Sequence, residues 1–405
     1  MSDNPARRPR SCTEGRNATV KPITKLFVAF QAAAVTALAS AASAQTIKLP
    51  ETLTFTAYDT GSSGFNIAVA VGKALKDKQG SDVRVLPAGN DVARLAPLKA
   101  GRAQASAMGI GTYFAQESVF EFAVKDWGPQ PLRLMLSVTD CNAISLGVAK
   151  DTGVKEIKDL KGKRVGIVVG SPALNQNAYA VLAYGNLTKG DVKLVEFSSY
   201  GAMWKGMLNN EVDAAIASTI SGQVKEVETS PRGIVYPPTP AADKAAWQRV
   251  NKIGPYFYPH KTTCGAGIPK GGSVELPSYP YPIFMVYASQ PADLVYSLTK
   301  AMIADYNDYK DAAPGAAGLE ISRQNLTWVI PYHEGAVRAL KEAGVWKAEH
   351  EAHNQKLLKR QEALAAAWAA YLKTNPPDDK AEFTKGWMAA RKTALTNAGM
   401  DPVFE

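Results

Sequence analysis

From residue 53 onward, short apolar runs alternate with longer segments in which hydrophobic residues recur with the period of a helix. The runs at 53–57, 83–86 and 132–138 are short and rich in apolar residues, which is typical of buried strands. The first two runs are followed by turn residues and then by helical patterns that reach residues 75 and 101. This strand–turn–helix recurrence predicts an α/β sheet with helices on its faces.

A second α/β series follows an apolar run over 143–150 and interrupts the first series. Its predicted strands are 164–169, 192–197 and 213–217, and helices are predicted from residue 171 and over 202–208. A Pro/Tyr/Gly-rich passage then leads to an apolar run at 282–288 and to helices predicted over 291–309 and 334–345. The chain is therefore expected to cross between two lobes twice, near 140–150 and 280–290. Lobe I would comprise 45–142 and 284–346, and lobe II would comprise 143–283.

Residues 347–405 differ from the rest in being rich in Ala, Lys and Glu. Trp368, Tyr371, Phe383 and Trp387 have the spacing of amphipathic helices, and residues 375–379 separate two such helices. This pattern predicts a helical C-terminal extension. Packing of the extension against the main body is the favoured interpretation, and binding of a partner is the alternative.

The amino terminus has the pattern of a cleavable signal peptide over 1–44. A basic stretch ending at Lys25 precedes an apolar, Ala-rich segment that closes with Ala42-Ser43-Ala44. A membrane anchor that stays attached is the alternative. Elsewhere the sequence has no apolar stretch near the roughly 18 residues that a transmembrane helix needs. We therefore expect a periplasmic protein that does not span the membrane once the signal is cleaved.

The charge balance is mildly basic. The chain has 46 Lys/Arg and 37 Asp/Glu, and removal of 1–44 leaves 40 against 35. No tight basic cluster is interleaved with aromatic residues, which argues against nucleic acid as a partner. The positive excess suits anionic solutes, although solubility alone is the simpler reason for it.

An exported chain would retain two cysteines, Cys141 and Cys264, in an oxidising compartment. A disulfide between them and a pair of buried free thiols are both compatible with the sequence.

Two Gly/Ser turns that follow predicted strands are the main candidates for ligand contacts. Residues 60–66 leave the first strand, and residues 169–173 leave the first strand of the second series; each opens a helix. Free N–H groups at a helix start can hold an anion, which needs no charged partner there. One such turn in each lobe predicts two faces of a cleft.

Catalytic patterns are not convincing in this sequence. Gly61-Ser62-Ser63-Gly64 lacks the spacing of a nucleophile elbow, and His333 is better explained as a structural residue at a helix start. His350 and His353 have a helical spacing at which both side chains could coordinate a metal ion, but an exposed polar face of a helix is the favoured interpretation. We predict a protein that is not an enzyme and that uses no cofactor. No metal-ligating residues are assigned, and the sequence does not decide whether a metal ion accompanies the ligand.

The ordered segments of residues 52–346 resemble the TAXI class of receptors for tripartite ATP-independent periplasmic (TRAP) transporters. The resemblance rests on the glycine turn at 61–64, on 157–166 and on Val212-Asp213-Ala214-Ala215. Its most specific segments come later, at 293–301 and 331–336, with Lys341-Glu342-Ala343-Gly344 after them. The order and spacing of these segments carry the resemblance.

The resemblance implies a two-lobed periplasmic-binding-protein (Venus flytrap) fold that closes on one small organic anion. Such a receptor delivers a carboxylate or an amino or oxo acid to a TRAP permease driven by an ion gradient. The ligand-binding residues that it implies are Ser62, Ser63, Gly64, Phe65, Asn66, Gly89, Asn90, Asp91, Met108, Gly109, Gly170, Ser171, Asn175, Ser218 and Thr219.

This chain departs from the family pattern at three of these turns. Phe65-Asn66-Ile67 replaces a small residue and two aromatics, Asn90 replaces a serine, and Pro172-Ala173 replaces Gly-Thr. The solute is therefore not carried over from the family. The alternatives to a transport receptor are a periplasmic sensor for a signalling partner and, less favoured, a periplasmic enzyme on the same fold.

Overall fold

The structure, a computed structural model, describes residues 46–404. Two five-stranded sheets organise this part of the chain. The signal peptide predicted at 1–44 lies outside these residues. The strands are β1 (Thr52–Tyr58), β2 (Asp82–Ala88), β3 (Ala105–Met108), β4 (Leu132–Ser137), β5 (Ile144–Ala149), β6 (Arg164–Val168), β7 (Lys193–Phe197), β8 (Ala214–Ser218), β9 (Ile234–Val235), β10 (Tyr258–Thr262), β11 (Val274–Ser278) and β12 (Ile283–Tyr287).

Helices connect these strands and continue beyond them. They are α1 (Ser63–Gln79), α2 (Asp91–Lys99), α3 (Gly111–Glu117), α4 (Pro172–Tyr184), α5 (Tyr200–Leu208), α6 (Gly222–Thr229), α7 (Lys244–Ile253), α8 (Ala292–Ala304), α9 (Tyr306–Tyr309), α10 (Glu334–Glu342), α11 (Ala348–Leu372) and α12 (Lys380–Asn397). The helix predicted over 291–309 is divided at Asp305 into α8 and α9. None of the helices within 46–404 combines the length and the hydropathy needed to cross a membrane.

The two sheets have the same strand arrangement. The first has the order β2-β1-β3-β12-β4 and the second the order β7-β6-β8-β5-β9. In each, parallel strands are joined by a strand of opposite direction, β12 or β5. The chain leaves the first sheet between β4 and β5 and returns to it at β12. The predicted two-lobed α/β fold with two crossings is therefore confirmed, with helices α11 and α12 after it. We call each sheet with its covering helices the first and the second lobe; the residue boundaries predicted for them stay predictions.

The Pro/Tyr/Gly-rich passage, for which no strands were predicted, contains the antiparallel hairpin of β10 and β11. A disulfide joins Cys141, at the first crossing, to Cys264, just after β10. Beside it, the N–H of Thr263 donates to the carbonyl of Cys141 at 3.0 Å. The hairpin is thus tied covalently to the segment that connects the lobes.

Removing this disulfide should lower the stability of the protein. The bridge closes a segment of 123 residues, so the Cys141→Ser/Cys264→Ser variant should lose about 2–5 kcal/mol of the free energy of unfolding. Urea unfolding with and without reductant measures the loss. The wild-type protein should respond to the reductant and the variant should not. An unchanged unfolding midpoint in the variant would contradict the prediction.

The C-terminal extension packs against the first lobe, as the favoured interpretation expects. The rings of Trp368 on α11 and Trp387 on α12 meet edge to face at 4.7 Å between centroids. Trp387 is fully buried, and its Nε1–H donates to the carbonyl of Ser118 at 2.8 Å. At the chain end, the ring of Phe404 packs on Phe114 of α3 at 5.1 Å. The extension therefore shares a core with α3.

A buried carboxylate fixes the extension to the end of α3. Glu117 accepts two hydrogen bonds from Arg360 of α11, both at 2.7 Å, and a further one from Nη2 of Arg391 of α12. Glu117 is fully buried and the side chain of Arg391 is 1 % exposed. Burial alone would lower the pKa of Arg360, but its hydrogen bonds to Glu117 and the attraction of that carboxylate raise it. One acid is thus held by two guanidinium groups.

Candidate ligand-binding site

The carboxyl ends of the parallel strands in the two lobes meet at one cleft. The N–H of Tyr200 in the second lobe donates to the carbonyl of Gly89 at 2.9 Å, and the N–H of Gly222 donates to that of Gly61 at 2.9 Å. In the opposite direction, the N–H of Val92 donates to the carbonyl of Gly170 at 3.2 Å. Ligands of open α/β sheets bind outside the carboxyl ends of the strands. These contacts place the lobes in a closed arrangement around that position.

A cavity lies between the closed lobes. Its free volume, including the part that is open to solvent, is about 390 Å³. The first lobe contributes polar and aromatic groups to its wall. The second lobe contributes apolar groups together with Asn177, Ser218 and the ring of Tyr200. The lining residues are Tyr58, Ser62, Ser63, Arg94, Gly109, Ile144, Ala173, Leu174, Asn177, Tyr200, Ile216, Ala217, Ser218, Tyr279 and Tyr281.

The amino terminus of α1 lies at the cavity wall. Ser62 is its N-cap: the side-chain oxygen accepts a hydrogen bond from the N–H of Phe65 at 3.3 Å. Ser62 and Ser63 are both buried, and both line the cavity. A helix of 17 residues therefore begins at this wall, and its positive pole and first-turn N–H groups lie there.

Arg94 of α2 is the single lining residue that carries a full charge at neutral pH. It is fully buried. One of its terminal nitrogens, Nη1, donates to the carbonyl of Ala107 at 3.1 Å, and the other, Nη2, donates to Asp91 at 2.6 Å. The third nitrogen, Nε, has no hydrogen-bond partner. A buried donor without a partner is costly, and an acceptor on a solute that reached Nε would remove this cost.

Asp91 lies behind the cavity wall and connects the lobes. Its carboxylate accepts the N–H of Ala173 at 2.8 Å and the hydroxyl of Ser171 at 3.2 Å, both at the start of α4. It also accepts hydrogen bonds from Arg94 and from the hydroxyl of Tyr58. Ser171, the N-cap of α4, makes no capping hydrogen bond of its own. An aspartate of the first lobe thus occupies the anion position at the start of a second-lobe helix.

Asp59 repeats this arrangement outside the cavity. Its Oδ2 accepts the N–H of Gly201 at 2.7 Å, in the first turn of α5. Nearby, the side chain of Gln223 in the second lobe donates to the carbonyl of Thr60 at 2.9 Å. Two helices of the second lobe therefore begin against carboxylates of the first lobe, and this charge–dipole pairing stabilises the closed arrangement.

Four tyrosines complete the wall. The rings of Tyr58 and Tyr200, one from each lobe, stack at 5.7 Å between centroids, and those of Tyr279 and Tyr281 meet edge to face at 6.2 Å. Burial, followed by the neighbouring Asp91 carboxylate, raises the pKa of Tyr58 well above its usual value. Burial also raises the pKa of Tyr281, against the opposing effect of Arg94. Tyr58 and Tyr281 therefore stay protonated at neutral pH, and the hydroxyl of Tyr58 donates to Asp91.

The structure brings some of the predicted ligand residues to the cavity and places others in the surrounding turns. Ser62, Ser63, Gly109 and Ser218 line the cavity. The predicted residues that lie outside the lining are Gly64, Phe65, Asn66, Gly89, Asn90, Asp91, Met108, Gly170, Ser171, Asn175 and Thr219.

Several of those residues have side chains engaged in shaping the turns. Asn90 caps α2 by accepting the N–H of Ala93 at 2.8 Å. Asn175 makes two hydrogen bonds to the backbone of Val168, at 2.9 and 3.0 Å. Thr219 donates to the carbonyl of Cys264 at 2.9 Å. Their contacts support the walls of the cleft from behind.

Sequence reasoning missed Arg94 and the four tyrosines of the wall. A signal for Arg94 was present, because it falls on the buried stripe of α2 that also holds Asp91, Leu95 and Leu98. A charged residue at such a position is rarely buried without a partner. The tyrosines 279 and 281 come from a Tyr-Pro-Tyr-Pro run, for which neither period nor turn chemistry indicated a role.

The histidines considered as metal ligands make ordinary structural contacts. His353 Nε2 forms a hydrogen bond with the carbonyl of Trp328 at 2.8 Å, and His350 Nδ1 accepts the N–H of Lys347 at 3.1 Å. Between residues 46 and 404, no three His, Cys, Asp or Glu side chains are grouped so that they could hold a metal ion. His333 caps α10 by accepting the N–H of Gly335 at 3.1 Å.

Solved structures of binding proteins resemble this fold at low sequence identity. An ancestral arginine-binding protein bound to arginine is 16 % identical, with a TM-score of 0.41 over 65 % of this chain and 97 % of that one. The alkanesulfonate-binding protein SsuA from Xanthomonas axonopodis pv. citri, bound to MOPS, is 14 % identical, with a TM-score of 0.39 over 73 % and 92 %. An amino acid ABC transporter substrate-binding protein, AbpA from Streptococcus pneumoniae, bound to L-arginine, is 15 % identical, with a TM-score of 0.39 over 67 % and 97 %. Each ligand is that of its own protein.

The family assignment comes from the sequence match. Residues 55–344 match the NMT1-like family. This segment begins within β1, ends just after α10 and so includes both lobes and the whole cavity wall. The match extends over more than half of the chain, and the protein belongs to the NMT1-like family.

Proposed function

We propose that this protein is a periplasmic solute-binding receptor that captures a small organic anion and carries out no chemistry on it. The observation that carries the proposal is the cavity between the lobes, with the buried Arg94 whose Nε has no partner. A carboxylate that reached this edge of Arg94 would satisfy the unpaired donor with a charge-assisted hydrogen bond. The start of α1, at Ser62 and Ser63, supplies further favourable potential for an anion.

Capture requires the lobes to move apart, because the residues that line the closed cavity are buried. The surfaces that separate are the backbone contacts between the turns, such as Tyr200 to Gly89, and the contacts of Asp59 and Asp91 with α5 and α4. A solute that touches both lobes favours the closed arrangement by its differential affinity for it. The segments between β4 and β5 and before β12 are the natural hinges.

The receptor would pass its solute to a membrane permease. Following the TAXI resemblance of residues 52–346, we propose the subunits of a TRAP permease, driven by an ion gradient, as the partner. The signal peptide proposed at 1–44 would export the chain to the periplasm for this purpose.

Thermal-shift and calorimetric titration of the purified protein with small carboxylates, amino acids and uncharged solutes tests the proposal. A solute that binds the folded state alone raises the melting temperature with its concentration. We expect a saturable rise for organic anions and none for their amides. A response restricted to uncharged solutes or divalent metals would contradict the anion assignment, and turnover of a bound solute would contradict a receptor without chemistry.

A further inference from the structure

The polarity of the cavity is divided between the lobes. The first lobe supplies Arg94 and the start of α1, whereas the second lobe supplies a largely apolar surface with the uncharged polar side chains of Asn177, Tyr200 and Ser218. The residues of this apolar surface are Ile144, Ala173, Leu174, Ile216 and Ala217. A solute anion that binds Arg94 would therefore direct the rest of its structure toward a surface that is largely hydrocarbon and has no charged side chain.

Asp91 fills the second position at which an anion could bind, the start of α4. Helix α4, which has 13 residues, is the second-lobe counterpart of α1. The Asp91 carboxylate occupies its start by accepting hydrogen bonds from the N–H of Ala173 and the hydroxyl of Ser171. The same carboxylate pairs with Arg94, so a fixed negative charge lies directly behind the one positive charge of the wall. The carboxylate also packs closely against the start of α3, where a Cβ atom added to Gly111 would lie 2.9 Å from the Cγ of Asp91.

From this arrangement we infer that the receptor selects small monocarboxylates with an apolar end and rejects dicarboxylates, and that Asp91 sets this selectivity. The inference rests on the proposed function. A second carboxylate would face either the apolar surface, where no cation compensates its desolvation, or the Asp91 charge. A branched or straight hydrocarbon end meets neither penalty and gains contact with Ile144, Leu174 and Ile216.

Three compounds of matched shape test the selectivity in the full protein. 4-Methylpentanoate has an isopropyl group in place of one carboxylate of butanedioate. 4-Methylpentanamide is the neutral amide of 4-methylpentanoate. By calorimetry, we expect 4-methylpentanoate to bind about 100-fold more tightly than butanedioate. If butanedioate binds as tightly as 4-methylpentanoate, the selectivity inference is wrong but the proposed anion receptor is not contradicted. Amide binding equal to that of the acid, or binding of neither acid, would overturn the proposed function as well.

Two isosteric variants separate the role of Asp91 from a general effect on closure. Asp91→Asn keeps an oxygen for Ala173 but removes the negative charge, so the preference for 4-methylpentanoate should fall to about 10-fold or less. Asp59→Asn is the matched control, because it weakens the contact with α5 outside the cavity; it should change the affinity for both acids by the same factor. An unchanged preference in Asp91→Asn would overturn the role of Asp91. If Asp91→Asn does not fold, the wild-type comparison of the three compounds still decides the selectivity.

Discussion

Replacing Arg94 with methionine should weaken binding of the solute anion by about 100-fold, or roughly 3 kcal/mol. Methionine fills a similar volume but removes the unpaired Nε donor and the positive charge from the cavity wall. Hydrogen bonds to charged groups contribute most when they are buried, and Arg94 is fully buried. Calorimetric titration with the anion found in the solute screen measures the loss. An affinity within threefold of the wild type would remove Arg94 from the site.

The design must separate binding from folding, because Arg94 also pairs with Asp91. Methionine alone leaves that carboxylate without its cation, which costs stability. The double variant Arg94→Met/Asp91→Asn removes both charges together and keeps the oxygen that accepts from Ala173. It should recover much of the melting temperature lost by the single variant and still fail to bind the anion. Recovery of binding along with stability would show that Arg94 acts through the fold alone.

The sequence was sufficient for many of the strands and for the two-lobed fold because the strand patterns are local. Thr52–Tyr58 and Arg164–Val168 are short apolar runs followed by turn residues, and their period can be recognised without tertiary information. The hairpin of β10 and β11 was missed because Tyr258–Thr262 includes Pro259, His260 and Lys261, which are not typical of a strand. Its pairing with Val274–Ser278 lies across a loop that no local pattern indicates.

The cavity wall was less predictable because its key contacts join distant parts of the chain. Ser62 and Ser63 were found since an N-cap followed by a helix is a local signal. Asp91 and Ser171 are 80 residues apart, and only folding shows that one carboxylate occupies the helix start assigned to a solute. The same holds for Tyr58 and Tyr200, whose stacking depends on closure of the lobes.

The C-terminal extension is connected to the cleft through α3. At one end of this helix, Gly111 packs on Asp91; at the other, Glu117 receives Arg360 and Arg391 from the extension. The helix has only seven residues, so its position depends on contacts at both ends. We infer that the extension holds the part of the first lobe against which Asp91 rests.

The Glu117→Gln variant should lose about 3–5 kcal/mol of the free energy of unfolding. Glutamine has nearly the same shape but removes the negative charge, leaving Arg360 and the fully buried Arg391 without their shared partner. Removal of one member of a buried ion pair is costly because the remaining charges stay desolvated. Urea unfolding of the variant and the wild type, followed by tryptophan fluorescence, measures the difference, since Trp387 lies in the same interface.

Asp378→Asn is the matched control for this prediction. Asp378 precedes α12 and pairs with Lys125 across the same interface, but its side chain is 88 % exposed. Exposed ion pairs contribute little, so the control should unfold at the urea concentration of the wild type. Equal behaviour of Glu117→Gln and Asp378→Asn would show that the buried network does not hold the extension. A large loss for Glu117→Gln alone would assign the attachment of α11 and α12 to this one carboxylate.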